Sequence, residues 1–189
     1  QMRTSAPDVY AVGDAVEVRH FVTGAKSHIA LAGPANKQGR IAADHICGRR
    51  SAYTGALGTS VLKLFDLTAA STGLNEKQAR AAGVAYDKVV TYSASHASYY
   101  PGARNMTVKT LFDPASGRIL GAQIVGFDGV DKRMDVLAAA IRAGLTAEQL
   151  TELDLAYAPP YGSAKDPVNM AGYVIENVRA GLVEQHHWD

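Results

Sequence analysis

Met106–Phe112 alternates like a strand, Arg118–Val125 returns as a second strand, and Asp113-Pro114-Ala115-Ser116-Gly117 stands between them. That middle stretch is built to turn. Proline fixes its own φ, aspartate bonds back to nearby amides, and glycine accepts a left-handed conformation. Two strands joined this way form an antiparallel hairpin. Alternation also places every second side chain on one face, so the hairpin must lay that face against another layer to fold.

The remainder of the chain supplies that layer. Strands are expected at Val61–Phe65, Leu67–Thr72 and Tyr86–Ser93. Asn75, with Gln78 three residues on, forms a capping box for a short helix closed by Gly83. Val130–Ala143 reads as a helix ending at Gly144, and Thr146 caps a short one through Leu150. Asp166 opens a last helix with Pro167 at its first position and Gly181 beyond its end. Pro159-Pro160 is expected to force an extended segment. The order of elements gives an α+β fold, an antiparallel sheet with helices on one face.

The first 58 residues have a different texture. Pro7-Asp8 marks a turn into a short buried strand, Val9–Val12, which Gly13-Asp14 ends. Residues 15–30 read as irregular. A helix is expected from Ala32 to Ile46, with Ile41, Ala42, His45 and Ile46 on one face. The small, Gly-rich stretch 51–58 reads as a linker. The expected organisation is therefore 1–50, the linker 51–58, a domain over 59–182 and a tail at 183–189.

Composition narrows the function. Of 189 residues, 47% are hydrophobic, enough for a core, and the formal net charge is +1. Such a balance gives no reason to expect nucleic acid or an anionic membrane as partner. The single cysteine, Cys47, excludes an internal disulfide and is expected to pack rather than react. No apolar run approaches a membrane span and no leader is visible at Gln1–Thr4, so a soluble, cytoplasmic protein is the expectation. His20, His28, His45 and His96 lack metal-ligand spacing, and no metal site is expected. Asp66, Glu76 and Asp166 are expected to cap turns and helices.

The string Thr4-Ser5-Ala6-Pro7-Asp8-Val9-Tyr10-Ala11-Val12-Gly13-Asp14 resembles the second FAD motif of the flavoprotein disulfide reductases. Gly13 lets a cofactor approach the backbone, and Asp14 can accept a hydrogen bond from a ribityl hydroxyl. Leu31-Ala32-Gly33-Pro34-Ala35-Asn36-Lys37-Gln38-Gly39 resembles the family helix that points at the flavin pyrimidine edge. The backbone near Leu31 and Ala32 is the part expected to act there. From Gly58 onward the chain resembles the dimerisation domain of the same superfamily. Lys63–Thr68, Thr72–Leu74 and Gly117–Gly126 carry that likeness. It implies a homodimer in which each subunit completes its partner's site.

The stretch Leu155–Pro167 has no His-Pro pair, the catalytic acid-base of glutathione reductase and lipoamide dehydrogenase. It resembles instead coenzyme A-disulfide reductases and their NADH oxidase, peroxidase and polysulfide reductase relatives. That likeness implies FAD as cofactor, NAD(P)H as co-substrate and a small thiol-disulfide, persulfide or polysulfide as substrate. It matches Tyr99 and Tyr157 to tyrosines that reach the partner's reactive sulfur, with Tyr100 and Tyr161 as alternatives. A phenol suits that work because it is protonated near neutrality and can donate to a thiolate. The Gly-x-Gly-x-x-Gly loop, the NAD(P)H domain and the redox cysteine of that family are not in this sequence. The isolated chain is therefore expected to be inactive and to hold FAD weakly or not at all. An oxygen-reducing NADH oxidase or peroxidase, or a dimerisation module without catalytic work, are the alternatives. Val183–Asp189 resembles a linker that precedes a rhodanese domain in some coenzyme A-disulfide reductases.

Overall fold

A computed structural model describes residues 2–187 of the chain, which divides into two compact units between Gly58 and Thr59. Trp188 and Asp189, the end of the proposed linker, lie outside the described residues.

The first unit holds one long helix. Strand β1 (Val18–Arg19) pairs antiparallel with β2 (Lys26–Ser27), and helix α1 runs Ala32–Ile46. Val9–Val12 is not a buried strand. Its one ladder contact is an isolated antiparallel bridge from Tyr10 to Arg3, and Val9 and Val12 are exposed. A buried parallel strand needs neighbours on both sides, and the described residues of this unit offer none. On α1 the buried positions are Gln38 and Ala42, while Ile46 is exposed. Cys47 also stands exposed at the helix end, so it does not pack as expected. Residues 51–58 are irregular but bonded to this unit, with Ala56 N–H donating to the Arg19 carbonyl.

The second unit is the antiparallel sheet with its long helices on one face. Its strands are β3 (Ser60–Leu64), β4 (Leu67–Gly73), β5 (Asp87–Ala94), β6 (Asn105–Phe112) and β7 (Ile119–Gly126). They lie in the order β3-β4-β7-β6-β5. Helix α3 (Val130–Ala143) lies against β4 and β7. Helix α5 (Pro167–Arg179) lies against β5, with the short α4 (Ala147–Thr151) beside it. The period-2 pattern of β6 sends Met106, Val108, Thr110 and Phe112 toward the helices. There they share the core with Met134, Leu137 and Ile141 of α3 and Val168 and Ile175 of α5.

Local chemistry sets the ends of these elements. Asn75, Thr146 and Asp166 each form a complete capping box, and Gly144 closes α3 in a left-handed conformation at φ +75°. Asp113 Oδ1 accepts from the amides of Ala115 and Ser116 and so folds the β6–β7 turn. Pro159-Pro160 does not extend the chain. It occupies a turn closed by the Tyr161 amide on the Ala158 carbonyl at 2.8 Å, since a proline φ near −65° also suits the second position of a turn.

Glu76 does not cap. Asn75 holds that position in helix α2 (Glu76–Ala81), and the Glu76 carboxylate accepts from Lys109, from Lys88 at 2.9 Å and from Tyr86 at 3.2 Å. Lys88 and Lys109 alternate with Val89 and Val108, so they place this tether on the sheet face away from α3 and α5.

Burial pushes the Glu76 pKa up, but hydrogen bonds from Lys109 and Lys88 and their charges outweigh it and hold the group at about 2, against an ordinary 4.5. A carboxylate depressed in the folded state stabilises above its unfolded pKa and loses that contribution as pH falls through the folded one. Acid titration of unfolding free energy should therefore show a loss of up to about 3 kcal/mol between roughly pH 4.5 and pH 2. Glu76→Gln should flatten that region of the curve. An unchanged curve in the variant would remove Glu76 as its cause.

Candidate active-site residues

In the first unit, the turn after Val12 presents a bare carboxylate. Gly13 sits at φ +85° with nothing near the place a Cβ would occupy, so its backbone is open to approach. The turn is held from two sides. Gly13 N–H donates to Oε1 of the buried Gln38 at 2.8 Å, and His28 Nε2 donates to the Asp14 carbonyl. Asp14 itself is exposed, and its carboxylate makes no hydrogen bond or ion pair among the described residues.

The start of α1 is equally undressed. Leu31 occupies the cap with no side-chain hydrogen bond, and the first turn has no acidic residue. The first amides of a helix have no intrahelical acceptor, and here those of Ala32 and Gly33 carry exposed, minimal side chains. A helix start of this kind favours negative charge. An open glycine turn, a free carboxylate and unoccupied helix amides fit the hydroxyl-bearing arm and electron-rich ring of a flavin.

In the second unit, two loops at one end of the sheet bring Tyr99 and Tyr157 together. Tyr99 lies between β5 and β6, and Tyr157 lies between α4 and α5. Their hydroxyl oxygens are 2.9 Å apart although 58 residues separate them. Tyr99 is 74% exposed and Tyr157 46%, so the pair faces outward. The hydrogen bond with Tyr99 raises the Tyr157 pKa above the ordinary 10.0, with desolvation adding to it. That direction goes with a phenol that stays protonated throughout the neutral range. Tyr100 packs edge-on against His96 with ring centroids 5.8 Å apart, and Tyr161 sits exposed on the proline turn. Neither joins the pair.

The first of these loops is stiff. Ser95 N–H donates to the Arg104 carbonyl at 2.9 Å, and Arg104 N–H donates to Ser95 Oγ at 3.2 Å. His96 Nε2 donates to the Pro101 carbonyl at 3.2 Å, which leaves Nδ1 of a neutral ring to accept from Ser95 Oγ. No group of three or more histidine, cysteine or acidic residues able to hold a metal occurs among the described residues. None of their helices is long and apolar enough to cross a membrane.

The supporting groups Gln38, His28, Ser95 and Arg133 were not singled out from sequence. For Gln38 a signal existed, because it shares the helix face of Ala42 at four-residue spacing. His28 and Ser95 meet partners 14 and 9 residues away across loops whose course the sequence does not display.

The five-stranded antiparallel sheet backed by long helices is the dimerisation-domain fold of the flavoprotein disulfide reductases. The sequence model of the pyridine nucleotide-disulphide oxidoreductase dimerisation domain matches residues 59–167, more than half of the chain, and the chain belongs to that family. It is 38% identical over 174 residues to coenzyme A disulfide reductase of Staphylococcus haemolyticus, covering 92% of this chain and 39% of that protein. Among solved structures it matches reduced Bacillus anthracis CoADR-RHD with a TM-score of 0.95 and 53% identity, over 98% of this chain and 33% of that one. It also matches an NAD-dependent persulfide reductase from A. fulgidus with a TM-score of 0.94 and 47% identity, over 97% of this chain and 34% of that one. The chain thus spans about 39% of the length of the curated relative.

The tyrosine pair can be tested in this chain. Tyr99→Phe should bring the Tyr157 titration back toward 10.0, read from the ring-carbon shift of labelled tyrosine against pH. An unmoved titration would mean that the two hydroxyls are not bonded.

Proposed function

We propose that this chain supplies half of an FAD site and the dimerisation domain of a longer NAD(P)H-dependent flavoenzyme. That enzyme reduces a small thiol-linked disulfide, such as coenzyme A disulfide, or a persulfide or polysulfide. The single observation that carries the reading is the outward-facing Tyr99–Tyr157 pair at 2.9 Å. The names of the similar proteins support the substrate class.

When bound, FAD supplies the passage of two electrons from NAD(P)H toward the disulfide, through a cysteine outside this chain. The residues of this chain bind, orient and stabilise. Gly13 admits the cofactor to the backbone, and Asp14 accepts a hydrogen bond from a ribityl hydroxyl. The amides at Ala32 and Gly33, behind Leu31, favour negative charge on the pyrimidine edge. The paired hydroxyls of Tyr157 and Tyr99 use one O–H between them and leave the other to donate a hydrogen bond to sulfur as thiolate character develops, either on the partner subunit's cysteine or on the departing substrate thiol. A phenol held protonated makes that donation throughout the neutral range without itself giving up charge.

A homodimer provides the partner. Leu62, Ala69, Val125, Thr107 and Tyr92 stand in register across all five strands. By alternation this row faces away from the helices, and Leu62, Val125 and Tyr92 (75%) are exposed. Exposed apolar side chains at both ends and the middle of one row across the sheet suit association with a second copy.

In the full-length, FAD-loaded protein, Tyr157→Phe should lower kcat with coenzyme A disulfide by about 10- to 100-fold, the worth of a hydrogen bond to a charged group. FAD content and sedimentation as a dimer should stay unchanged. Unaltered turnover would favour a domain that only associates. Turnover with oxygen but not with disulfides would point to an oxidase.

A further inference from the structure

Arg133 is 1% exposed, yet it is a cation. It lies in the first turn of α3, pointing beneath the two tyrosine loops. Its guanidinium donates to three groups. Nε and Nη2 grip Asp166 Oδ2 at 3.1 and 2.9 Å, Nη2 also reaches the Ser95 carbonyl at 2.9 Å, and Nη1 reaches the Gly129 carbonyl at 3.2 Å. A hydrophobic side chain of similar volume could fill this space without the desolvation cost of a buried ion pair. It could not bind all three chain segments at once.

Those segments belong to the tyrosine loops and to the turn before α3. Ser95 opens the loop that carries Tyr99, and Asp166 closes the loop that carries Tyr157. Asp166 also caps α5 through the Val168 amide, and its own amide donates to Asn169 Oδ1. Asn169 Nδ2 then reaches the carbonyls of Leu150 and Leu153, fixing where the second loop begins. Between the loops, Ala97 N–H donates to the Gly162 carbonyl at 2.8 Å. Gly162 lies directly against Arg133, whose Nη2 is 3.6 Å from the place a Gly162 Cβ would occupy.

We propose that Arg133, locked to Asp166, is the positioning residue of the tyrosine pair. It sets the register of the two loops so that the Tyr99 and Tyr157 hydroxyls meet at one outward-facing point. Arg133 touches neither hydroxyl and acts through the backbone at Ser95 and through Asp166. The catalytic consequence rests on the proposed role of these tyrosines at the reacting sulfur, while the geometric one does not.

Two variants test it. Arg133→Lys keeps the charge but cannot serve Asp166 and the Ser95 carbonyl with one planar fork. Arg133→Met combined with Asp166→Asn removes both buried charges and keeps a cap for α5. In this chain, folded by circular dichroism, both should return the Tyr157 titration toward the ordinary phenol value of 10.0. In the full-length holoenzyme, kcat with coenzyme A disulfide should fall by about 10- to 100-fold, as for misplaced groups, with KM and FAD content little changed. A raised Tyr157 titration in both variants would overturn the proposal. So would normal kcat in both where Tyr157→Phe is impaired, and so would failure of both to fold, which would assign the pair to the fold alone. If Tyr157→Phe itself turns over normally, the functional reading falls, and the titration in this chain still decides the positioning.

Discussion

A charged guanidinium buried in the second unit would be among the costliest groups in the molecule if left alone, because burial strips its hydration. Arg133 is tolerated because Asp166 meets it with a fork of hydrogen bonds and two backbone carbonyls take further donors. Two of its partners, Ser95 and Asp166, lie 38 and 33 residues away, and the third, Gly129, is in the turn before its own helix. The interaction therefore forms only once β5, α3 and the start of α5 have come together. Burying it specifies one arrangement of loops that would otherwise have many.

The sheet beneath is shaped by close approaches of a different kind. Leu74, just beyond β4, crosses β7 so tightly that a Cβ on Gly121 would sit 1.9 Å from the Leu74 carbonyl oxygen. A Cβ on Gly73, itself at φ +65°, would sit 2.4 Å from the Leu120 carbonyl oxygen. Glycine pairs let the two strands pass where side chains could not. The result is a sheet with divided duties. One face is filled by α3 and α5, the other is open and apolar in its middle row, and the loops at one end carry the tyrosines. In the proposed function, association and chemistry use different parts of one layer.

Much of this was legible in the residues, for a physical reason. Capping boxes at Asn75, Thr146 and Asp166, the left-handed glycine at 144 and the Asp113 turn all join residues within a few positions, so the sequence displays both partners together. Alternation in β6 likewise declares its own face. What escaped notice was non-local. Glu76 has the look of a helix-start carboxylate, but its lysines lie on β5 and β6. Arg133 has the look of a surface cation on a charged helix segment, and its partners are 33 and 38 residues away. Val9–Val12 was misread because an apolar run becomes a strand only beside other strands. The proline pair was misread because its φ serves both an extended segment and a turn. Tyr99 and Tyr157 were named through a family likeness, and no feature of spacing could have shown that their hydroxyls touch.

The central claim is that the Tyr99–Tyr157 hydroxyls address a reactive sulfur across a two-fold interface. A crystal structure of the full-length, FAD-loaded protein measures this directly. The expected result is a dimer in which the Tyr157 hydroxyl lies within about 3.5 Å of the partner's sulfur or of a bound thiol substrate, the reach of a hydrogen bond to sulfur. A dimer in which both hydroxyls open onto solvent, far from any cysteine or flavin, would contradict it.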